Sequence, residues 1–270
     1  MISRMGGSFA ALTDINCTTG VFDFVKASRE EGIKPLVGAE IRKEDQLLYI
    51  CIAKSLNGFR EINELITQVN LKERLLPGQS PFFQDVFVIY PTHNIPSILQ
   101  PNEWIGIRPE ELKRFKHPLL KQPDRLVLFQ SLTFRNQKER ELHQLLRSVE
   151  HNILLSQLKP EQQGLAYEIP IKVDRLESAF GDYPQIVRNT QRLADQCFFD
   201  FDFNMPKNKK HFTGSRYEDR ILLETLALEG FRDRYTLDDQ VAKKRLFEEL
   251  EIIDKLEFSC YFLTTWDIIR

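Results

Sequence analysis

Its 270 residues give this chain enough surface to bury a full core, either as one large α/β domain or as one domain and part of another. Hydrophobic residues make up 42% of the chain and charged residues 28%, which excludes a disordered, collagen-like or disulfide-stapled protein. The 37 Lys and Arg nearly balance the 39 Asp and Glu, so no overall field draws the chain to nucleic acid or to an anionic membrane.

The four cysteines are far apart and form no CxxC pair, which disfavours a zinc ribbon or a thioredoxin-like motif: Cys17, Cys51, Cys197 and Cys260. Free thiols in a reducing compartment are the simpler interpretation. The apolar stretch near the start is too short for a signal peptide, and no apolar run approaches the length of a membrane span. We therefore expect a cytoplasmic protein without a membrane partner.

The first seventy residues alternate predicted strands and helices. SFAALTD, IKPLVGAEI and QLLYICIAK are strand-like, with little room for a helix between the last two. GVFDFVKASREEG and NGFREINELITQVN have helical spacing. This alternation is typical of βα units and predicts a largely parallel sheet.

From residue 71 onward, prolines interrupt shorter elements, and the alternation continues more loosely. The patterns predict the strands DVFVIYP, EWIGIRP and RLVLFQSLTF, and the helices PEELKRF, NQKERELHQLLRSVEHNILLSQL and YPQIVRNTQRLADQC.

At FFDFDFNMPKNKKHFTG the periodicity stops, which marks a domain boundary. Two amphipathic helices follow, SRYEDRILLETLALEGFRDRY and DDQVAKKRLFEELEIIDKLEF. The last residues, CYFLTTWDIIR, lie inside an apolar element, so we expect the natural protein to continue beyond them.

The order of these segments resembles the N-terminal part of the bacterial DNA polymerase III alpha subunit, the C-family replicative polymerase. ALTDINCTTGVFDFVKASREEGIKPLVGAEI is similar to that family's Ala-Leu-Thr-Asp-His stretch, its next helix, Gly-Ile-Lys-Pro and Gly-X-Glu. IKVDRLESAFGDYPQIVRNTQRLADQC is similar to the segment that closes its polymerase-and-histidinol-phosphatase (PHP) domain, and LEFSCYFLTTWDIIR to the start of its palm.

The resemblance implies an α/β fold with a distorted (β/α)7 PHP-type barrel over residues 1–203 that lacks its first strand. It implies that residues 204–270 are a linker and the helical beginning of the polymerase palm. A barrel without its first strand has an exposed edge, which would allow a homodimer.

Active PHP proteins hold two or three metal ions at the barrel mouth and hydrolyse phosphoesters, with ligands from His-X-His, Thr-Asp-His, Gly-X-Glu and a closing Asp-X-His. Here no histidine precedes His93, Ile15 replaces the histidine of Thr-Asp-His, and QSLTF replaces the closing motif. Asp14 and Glu40 remain as vestigial candidates. We expect each to accept hydrogen bonds from loop amides; a weak, water-rich Mg²⁺ or Ca²⁺ site is the alternative.

The histidines offer no convincing ligand set. His143 and His151 are eight residues apart on one predicted helix, and His93 and His117 lie in proline-flanked loops without a partner acid or cysteine at ligand spacing. His211 belongs to the basic stretch PKNKKHFTG, which is either a solvated linker or a contact to DNA phosphates through Lys207, Lys209 and Lys210.

We therefore predict an N-terminal fragment of a DNA polymerase III alpha subunit. The full-length protein would synthesise DNA on a template with Mg²⁺, and this fragment would be a non-catalytic structural and interaction platform without a cofactor. By resemblance its partners are DNA, the remaining alpha-subunit domains and the proofreading exonuclease subunit, in the bacterial cytoplasm. The alternative function is a metal-dependent phosphoesterase or 3′–5′ exonuclease of the PHP superfamily.

Overall fold

The computed structural model describes residues 2–72, 75–112, 123–205, 208–236 and 238–270. The chain divides into two compact units, which we call the sheet unit (Met1–Phe201) and the helical unit (Asp202–Arg270). Within these described ranges, no helix is long and apolar enough to cross a membrane.

The sheet unit is an α/β structure built on one six-stranded sheet. Its strands are β1 (Phe9–Ile15), β2 (Lys34–Lys43), β3 (Gln46–Ala53), β4 (Val86–Pro91), β5 (Glu103–Ile107) and β6 (Leu126–Leu128), and they follow one another in the sheet in chain order. Its helices are α1 (Val21–Glu30), α2 (Leu56–Asn70), α3 (Pro109–Leu112), α4 (Gln137–Glu150), α5 (Val173–Ala179) and α6 (Pro184–Gln196).

The sheet is mixed rather than largely parallel. β1 pairs with β2 in parallel, as do β4 with β5 and β5 with β6, whereas β3 is antiparallel to both of its neighbours. The β2–β3 pair is antiparallel because Glu44 and Asp45 alone connect the strands, which is a hairpin and too short for a crossover. The α/β class is confirmed, but the described residues form an open six-stranded sheet, which gives no support to a closed seven-stranded barrel.

Helices cover both faces of this sheet. One face packs on α1 and α2, through residues such as Val25, Val37 and Ile62. The other face packs on α6, whose Leu193 and Cys197 join Leu36 and Ile50. Burial raises the pKa of the Cys197 thiol to about 11, so this cysteine behaves as a core residue.

Two predicted elements of this unit are shorter than expected. The helix predicted over residues 136–158 ends at Glu150 because Asn152 adopts a left-handed conformation (φ 52°), and the amide of Ile153 donates to the carbonyl of Ser148. The strand predicted over RLVLFQSLTF is limited to Leu126–Leu128. The predicted helix PEELKRF is helical over Pro109–Leu112, and its remaining residues lie outside the described ranges.

The helical unit contains α7 (Arg216–Arg234), α8 (Gln240–Lys255) and α9 (Ser259–Ile269). Ser215 caps α7 by accepting a hydrogen bond from the amide of Glu218, and Asp239 caps α8 in the same way through Ala242. Arg216 and Arg220 of α7 both pair with Asp254 of α8. Leu263 of α9 is fully buried.

Candidate functional site

The carboxyl ends of β1 and β2 carry the two acids that the sequence singles out. These strands are parallel neighbours, so their ends meet at one edge of the sheet. In the pairing register Asp14 lies opposite Ala39, and Ile15 lies opposite Glu40.

This register places the two acids on opposite faces of the sheet. Residues directly opposite one another in a ladder point to the same face, and successive residues of a strand alternate. Asp14 therefore shares the face of Ala39, which is buried in the core against α1 and α2. Glu40 points to the other face, beside Ile15. The structure thus does not bring Asp14 and Glu40 together, and a single ion held by both carboxylates does not fit this arrangement.

Glu40 already has a cationic partner. Its Oε2 accepts from Nε of Arg42 at 2.8 Å and lies 2.7 Å from Nη2 of the same guanidinium. The side chains are only 13% exposed for Glu40 and 27% for Arg42, so water screens this pair less than a surface salt bridge. A metal ion at Glu40 would have to compete with a guanidinium charge at contact distance.

Asn16 holds the same strand end in place. Its side-chain amide donates to the carbonyl of Arg42 and accepts from the amide of Arg42, both at 2.9 Å. Its backbone is left-handed (φ 51°), a conformation that asparagine tolerates better than most residues, and its amide donates to the carbonyl of Glu40 at 2.9 Å. Asn16 therefore extends the β1–β2 ladder by one residue and fixes the backbone beneath Glu40 and Arg42.

Asp14 lies close to the start of α1. Its Oδ2 would be 3.0 Å from a Cβ placed on Gly20, so Gly20 leaves the room that this carboxylate uses. No hydrogen bond or ion pair to the Asp14 carboxylate is found among the described residues. The expectation that Asp14 accepts hydrogen bonds from loop amides stays a prediction.

The resemblance implies an Asp-X-His motif in the segment after β6. In this chain, hydrogen bonds of Gln130 and Thr133 hold that segment in place. Gln130 donates to the carbonyls of Ser131 and Tyr167, at 2.9 and 3.1 Å. Thr133 donates its hydroxyl proton to Oε2 of Glu168 at 2.6 Å. These contacts attach the segment to residues 167–168 and provide no imidazole.

His143 and His151 make structural contacts on α4 and at its end. Nε2 of His143 accepts from the amide of Gly164 at 3.0 Å. Burial, together with the positive charge of Arg147, lowers the pKa of His143, so this imidazole is held neutral. His151 follows the last turn of α4, and its Nε2 is 2.9 Å from Nη2 of Arg147.

Arg147 joins α4 to the β2–β3 hairpin. Its guanidinium pairs with Asp45 of the hairpin and donates through Nε to the carbonyl of Gln162 at 2.6 Å. Sequence reasoning missed Arg147 because its partners are distant in the chain. It also missed Arg42, although a period of two places Arg42 and Glu40 on one face of a strand, a signal that is available in the sequence.

A hydrolytic metal cluster needs several histidine and carboxylate ligands in one cavity. In the described part of the chain, no group of three or more His, Cys, Asp and Glu residues is placed to hold a metal ion. The donors that the resemblance assigns do not converge either, since Ile15 is apolar and Asp14 faces away from Glu40. The described residues thus do not fit the metal cluster that the resemblance implies for active PHP proteins.

Residues 208–214, the described part of the basic stretch in the helical unit, form a loop. Lys209 and Lys210 are both exposed, whereas Lys207 lies outside the described residues. Nζ of Lys209 donates to the carbonyl of Phe212 at 3.0 Å, and the thiol of Cys260 donates to the carbonyl of Lys209 at 3.2 Å.

Asp219 of α7 holds this loop in place through hydrogen bonds to its backbone and to one side chain. Its carboxylate accepts from the amides of Phe212 and Thr213, at 2.8 and 2.6 Å, and from the Thr213 hydroxyl at 2.6 Å. Burial alone would raise the pKa of Asp219, but the hydrogen bonds from Thr213 and Phe212 outweigh it and lower the pKa. The two exposed lysines therefore extend from a fixed backbone.

No protein-family model matches the chain. It is similar to a DNA polymerase III subunit alpha from Halalkalibacterium halodurans, with 24% identity over 301 aligned positions that cover 97% of this chain and 26% of that protein. An error-prone DNA polymerase from Symbiobacterium thermophilum is 25% identical over 320 positions, covering 96% of this chain and 29% of the relative. A DNA polymerase III subunit alpha from Streptococcus pyogenes serotype M6 is 23% identical over 259 positions, covering 93% of this chain and 24% of the relative.

These comparisons confirm the resemblance to DNA polymerase III alpha subunits that the motifs predict, and they extend it to nearly the whole chain. The chain spans about a quarter of the length of the curated relatives it matches.

Proposed function

We propose that this chain is the N-terminal region of a bacterial, cytoplasmic polymerase of the DNA polymerase III alpha type. In the full-length protein, template-directed DNA synthesis would use Mg²⁺ ions held by the palm, by the two-metal mechanism of nucleotidyl transfer. The sheet unit would be a PHP-type barrel, and it would act as a structural and interaction platform rather than as a hydrolase. The similarity to alpha subunits along nearly the whole chain supports this assignment.

The observation that carries the non-catalytic role is the environment of Glu40. The position beside it on the same face of the sheet is occupied by Ile15, which cannot bind a metal ion. Arg42 supplies the positive charge that the Glu40 carboxylate would otherwise take from a cation. Ile15 thus stands where the resemblance implies an imidazole, and Arg42 provides the positive charge of a cation. The strand end would therefore be stable without a metal ion.

The helical unit would then be the beginning of the palm, with DNA and the remaining polymerase domains as its partners. Lys209 and Lys210 are the described candidates for contacts to DNA phosphates, with Lys207 beside them in the sequence. The proofreading exonuclease subunit is the partner we assign to the sheet unit.

The platform role is tested in the full-length polymerase by deleting residues 1–203. We expect the deletion to lower the thermal stability of the polymerase, to weaken capture of the exonuclease subunit in a pull-down, or both. The double variant Glu40→Gln/Arg42→Gln, which leaves neither charge without its partner, is the control, and we expect it to leave the primer-extension rate unchanged because a non-catalytic sheet unit takes no part in that reaction. If polymerase stability and exonuclease binding both survive the deletion, the platform role is wrong.

The lysine contacts are tested separately by the salt dependence of DNA binding. The plot of log K for DNA binding against log salt has a negative slope, and each phosphate contact that is lost makes it shallower by about 0.9. The double variant K209Q/K210Q should therefore make the slope shallower by roughly 1.8. Lys243, exposed on α8, provides the control Lys243→Gln. An unchanged slope in the double variant would remove both lysines from the DNA interface.

A further inference from the structure

The two edges of the sheet are protected differently. At the β6 edge, side chains of α6 satisfy the strand backbone: Nδ2 of Asn189 donates to the carbonyl of Leu126 at 2.9 Å, and Oγ1 of Thr190 accepts from the amide of Leu128 at 2.7 Å. β6 is also only three residues long. Short strands and side-chain cover are two of the ways in which proteins prevent edge pairing.

β1, at the opposite edge, has seven residues, and β2 is its one neighbour among the described strands. The carbonyl of Ser8 accepts from the amide of Lys34 at 3.0 Å, and the amide of Asn16 donates to the carbonyl of Glu40 at 2.9 Å. In a parallel ladder, every second residue of a strand directs both its amide and its carbonyl to the same neighbouring strand. Since Ser8 and Asn16 bond to β2 or its flanking residues, the even-numbered residues of β1 bond to β2. The amides and carbonyls of the odd-numbered residues therefore point away from the sheet: Phe9, Ala11, Thr13 and Ile15. Nothing in the described ranges pairs with them.

β1 carries one charged residue, Asp14, and few of the other features that block edge pairing. Its sequence, FAALTDI, contains no lysine, arginine or proline, and its pairing with β2 shows no bulge. Only Ala10 is buried, and Ile15 is 54% exposed. A long edge strand of this composition is a template for another strand.

We propose that a second copy of this chain pairs with β1 through its own β1, antiparallel and with Leu12 on the two-fold axis. In this register Phe9 of one copy lies opposite Ile15 of the other, and Ala11 opposite Thr13. Odd-numbered residues then face odd-numbered residues as hydrogen-bonded pairs, so every outward amide and carbonyl of both strands gains a partner. The two sheets become one continuous sheet with an isologous interface.

The side chains of β1 suit this register. Asp14 is the single charged residue of the strand, and it lies opposite Ala10 of the other copy, so no like charges meet. Leu12 lies opposite Leu12 of the other copy, and Phe9 of the other copy covers the exposed Ile15. This self-complementarity is our reason for assigning the edge to a second copy rather than to an unrelated strand, and it is independent of the proposed function.

The first test is the molecular mass in solution, measured by light scattering during size-exclusion chromatography. We expect twice the chain mass of 31.7 kDa at micromolar concentration. Ala11→Pro removes one outward amide without removing a bond to β2, and it should raise the dimer dissociation constant by about tenfold or more. Circular dichroism establishes that the variant is folded. A monomeric wild-type chain, or a dimer that Ala11→Pro leaves unchanged, overturns the proposal.

The second test fixes the register and does not depend on a proline variant. In a Cys17→Ser background, Leu12→Cys places two thiols opposite each other at the two-fold axis, where Cα atoms of a non-hydrogen-bonded pair are about 4.5 Å apart, within disulfide range. Asp14→Cys, two residues away on the same face, is the matched control. Its thiols would be separated by four residues along the ladder, roughly 14 Å. We expect oxidation to cross-link the first variant and not the second; equal cross-linking, or none, contradicts this register.

Discussion

The ion pair between Glu40 and Arg42 is the most specific residue-level feature of the strand end. Both side chains are largely covered, so removing one partner leaves a charge that water solvates poorly. We expect Arg42→Gln to lower the free energy of unfolding by about 1–3 kcal/mol. The measurement is urea denaturation followed by circular dichroism.

The double variant Glu40→Gln/Arg42→Gln is the control for this prediction, because it removes both charges. We expect it to be less destabilised than Arg42→Gln alone, since neither charge is then left without its partner. Equal destabilisation of the single and double variants would show that the pair does not hold the strand end.

His143 makes the stability of the sheet unit depend on pH. Its pKa is lower in the folded chain than in the unfolded chain, so unfolding takes up a proton at mildly acidic pH. The stabilisation by neutral His143 is complete above its ordinary pKa of about 6.5 and is lost as the pH falls through the lowered value. Protonation also removes the lone pair that accepts from Gly164.

We therefore expect the melting temperature of the wild-type chain to fall more between pH 7.5 and pH 5.5 than that of His143→Gln. His93→Gln is the matched control. Nε2 of His93 lies 3.1 Å from the carbonyl of Leu47, a contact in which the ring nitrogen must donate. His93→Gln should keep the full pH dependence; identical pH profiles of His143→Gln and the wild type would refute the prediction.

At the scale of elements, side chains of α6 satisfy the backbone groups at the β6 edge of the sheet. The Thr190 hydroxyl accepts from Leu128 and donates to the carbonyl of Ile186 at 2.8 Å. Thr190→Val keeps the shape but leaves the Leu128 amide without an acceptor, so we expect a loss of about 1–3 kcal/mol in unfolding free energy. Thr67→Val, at an exposed position of α2, should change stability by less than about 0.5 kcal/mol. A similar loss in both variants would contradict this role.

Several elements could be predicted from the sequence because their patterns are strong and local. α6 spans Pro184–Gln196, almost the whole segment predicted from its helical spacing, and α7 and α8 likewise lie within predicted helices. The end of α4 could not be predicted in this way, because the apolar spacing continues past the point where Asn152 turns left-handed. The antiparallel β2–β3 pair follows from the two-residue connection between these strands, which is too short for the crossover that a parallel pair needs.

The candidate site shows the same limit. Asp14 and Glu40 could be placed at neighbouring strand ends from the sequence, and the structure puts them there. Their opposite orientation depends on a one-residue register between β1 and β2, which hydrophobic patterns do not determine when both strands are partly covered on two faces. Arg147 and Asp45 meet across more than a hundred residues, and no local pattern predicts such a pair.

At the scale of the whole molecule, the chain combines a sheet unit that contains three hydrophobic clusters with a unit of three main helices in its described part. The similarity to an alpha subunit covers 97% of the chain and so includes residues of both units. The assignment of residues 1–203 to a PHP-type barrel and of residues 204–270 to the start of the palm stays a prediction.

We propose that the sheet unit does not carry a hydrolytic metal cluster. Elemental analysis by mass spectrometry, after purification of the chain from cells supplied with Zn, Mn and Fe, tests it most directly. We expect less than one tightly bound transition-metal ion per chain, in the wild type and in Glu40→Gln alike. Two or more ions per chain in the wild type, lost in Glu40→Gln, would contradict it and would favour the metal-dependent phosphoesterase instead.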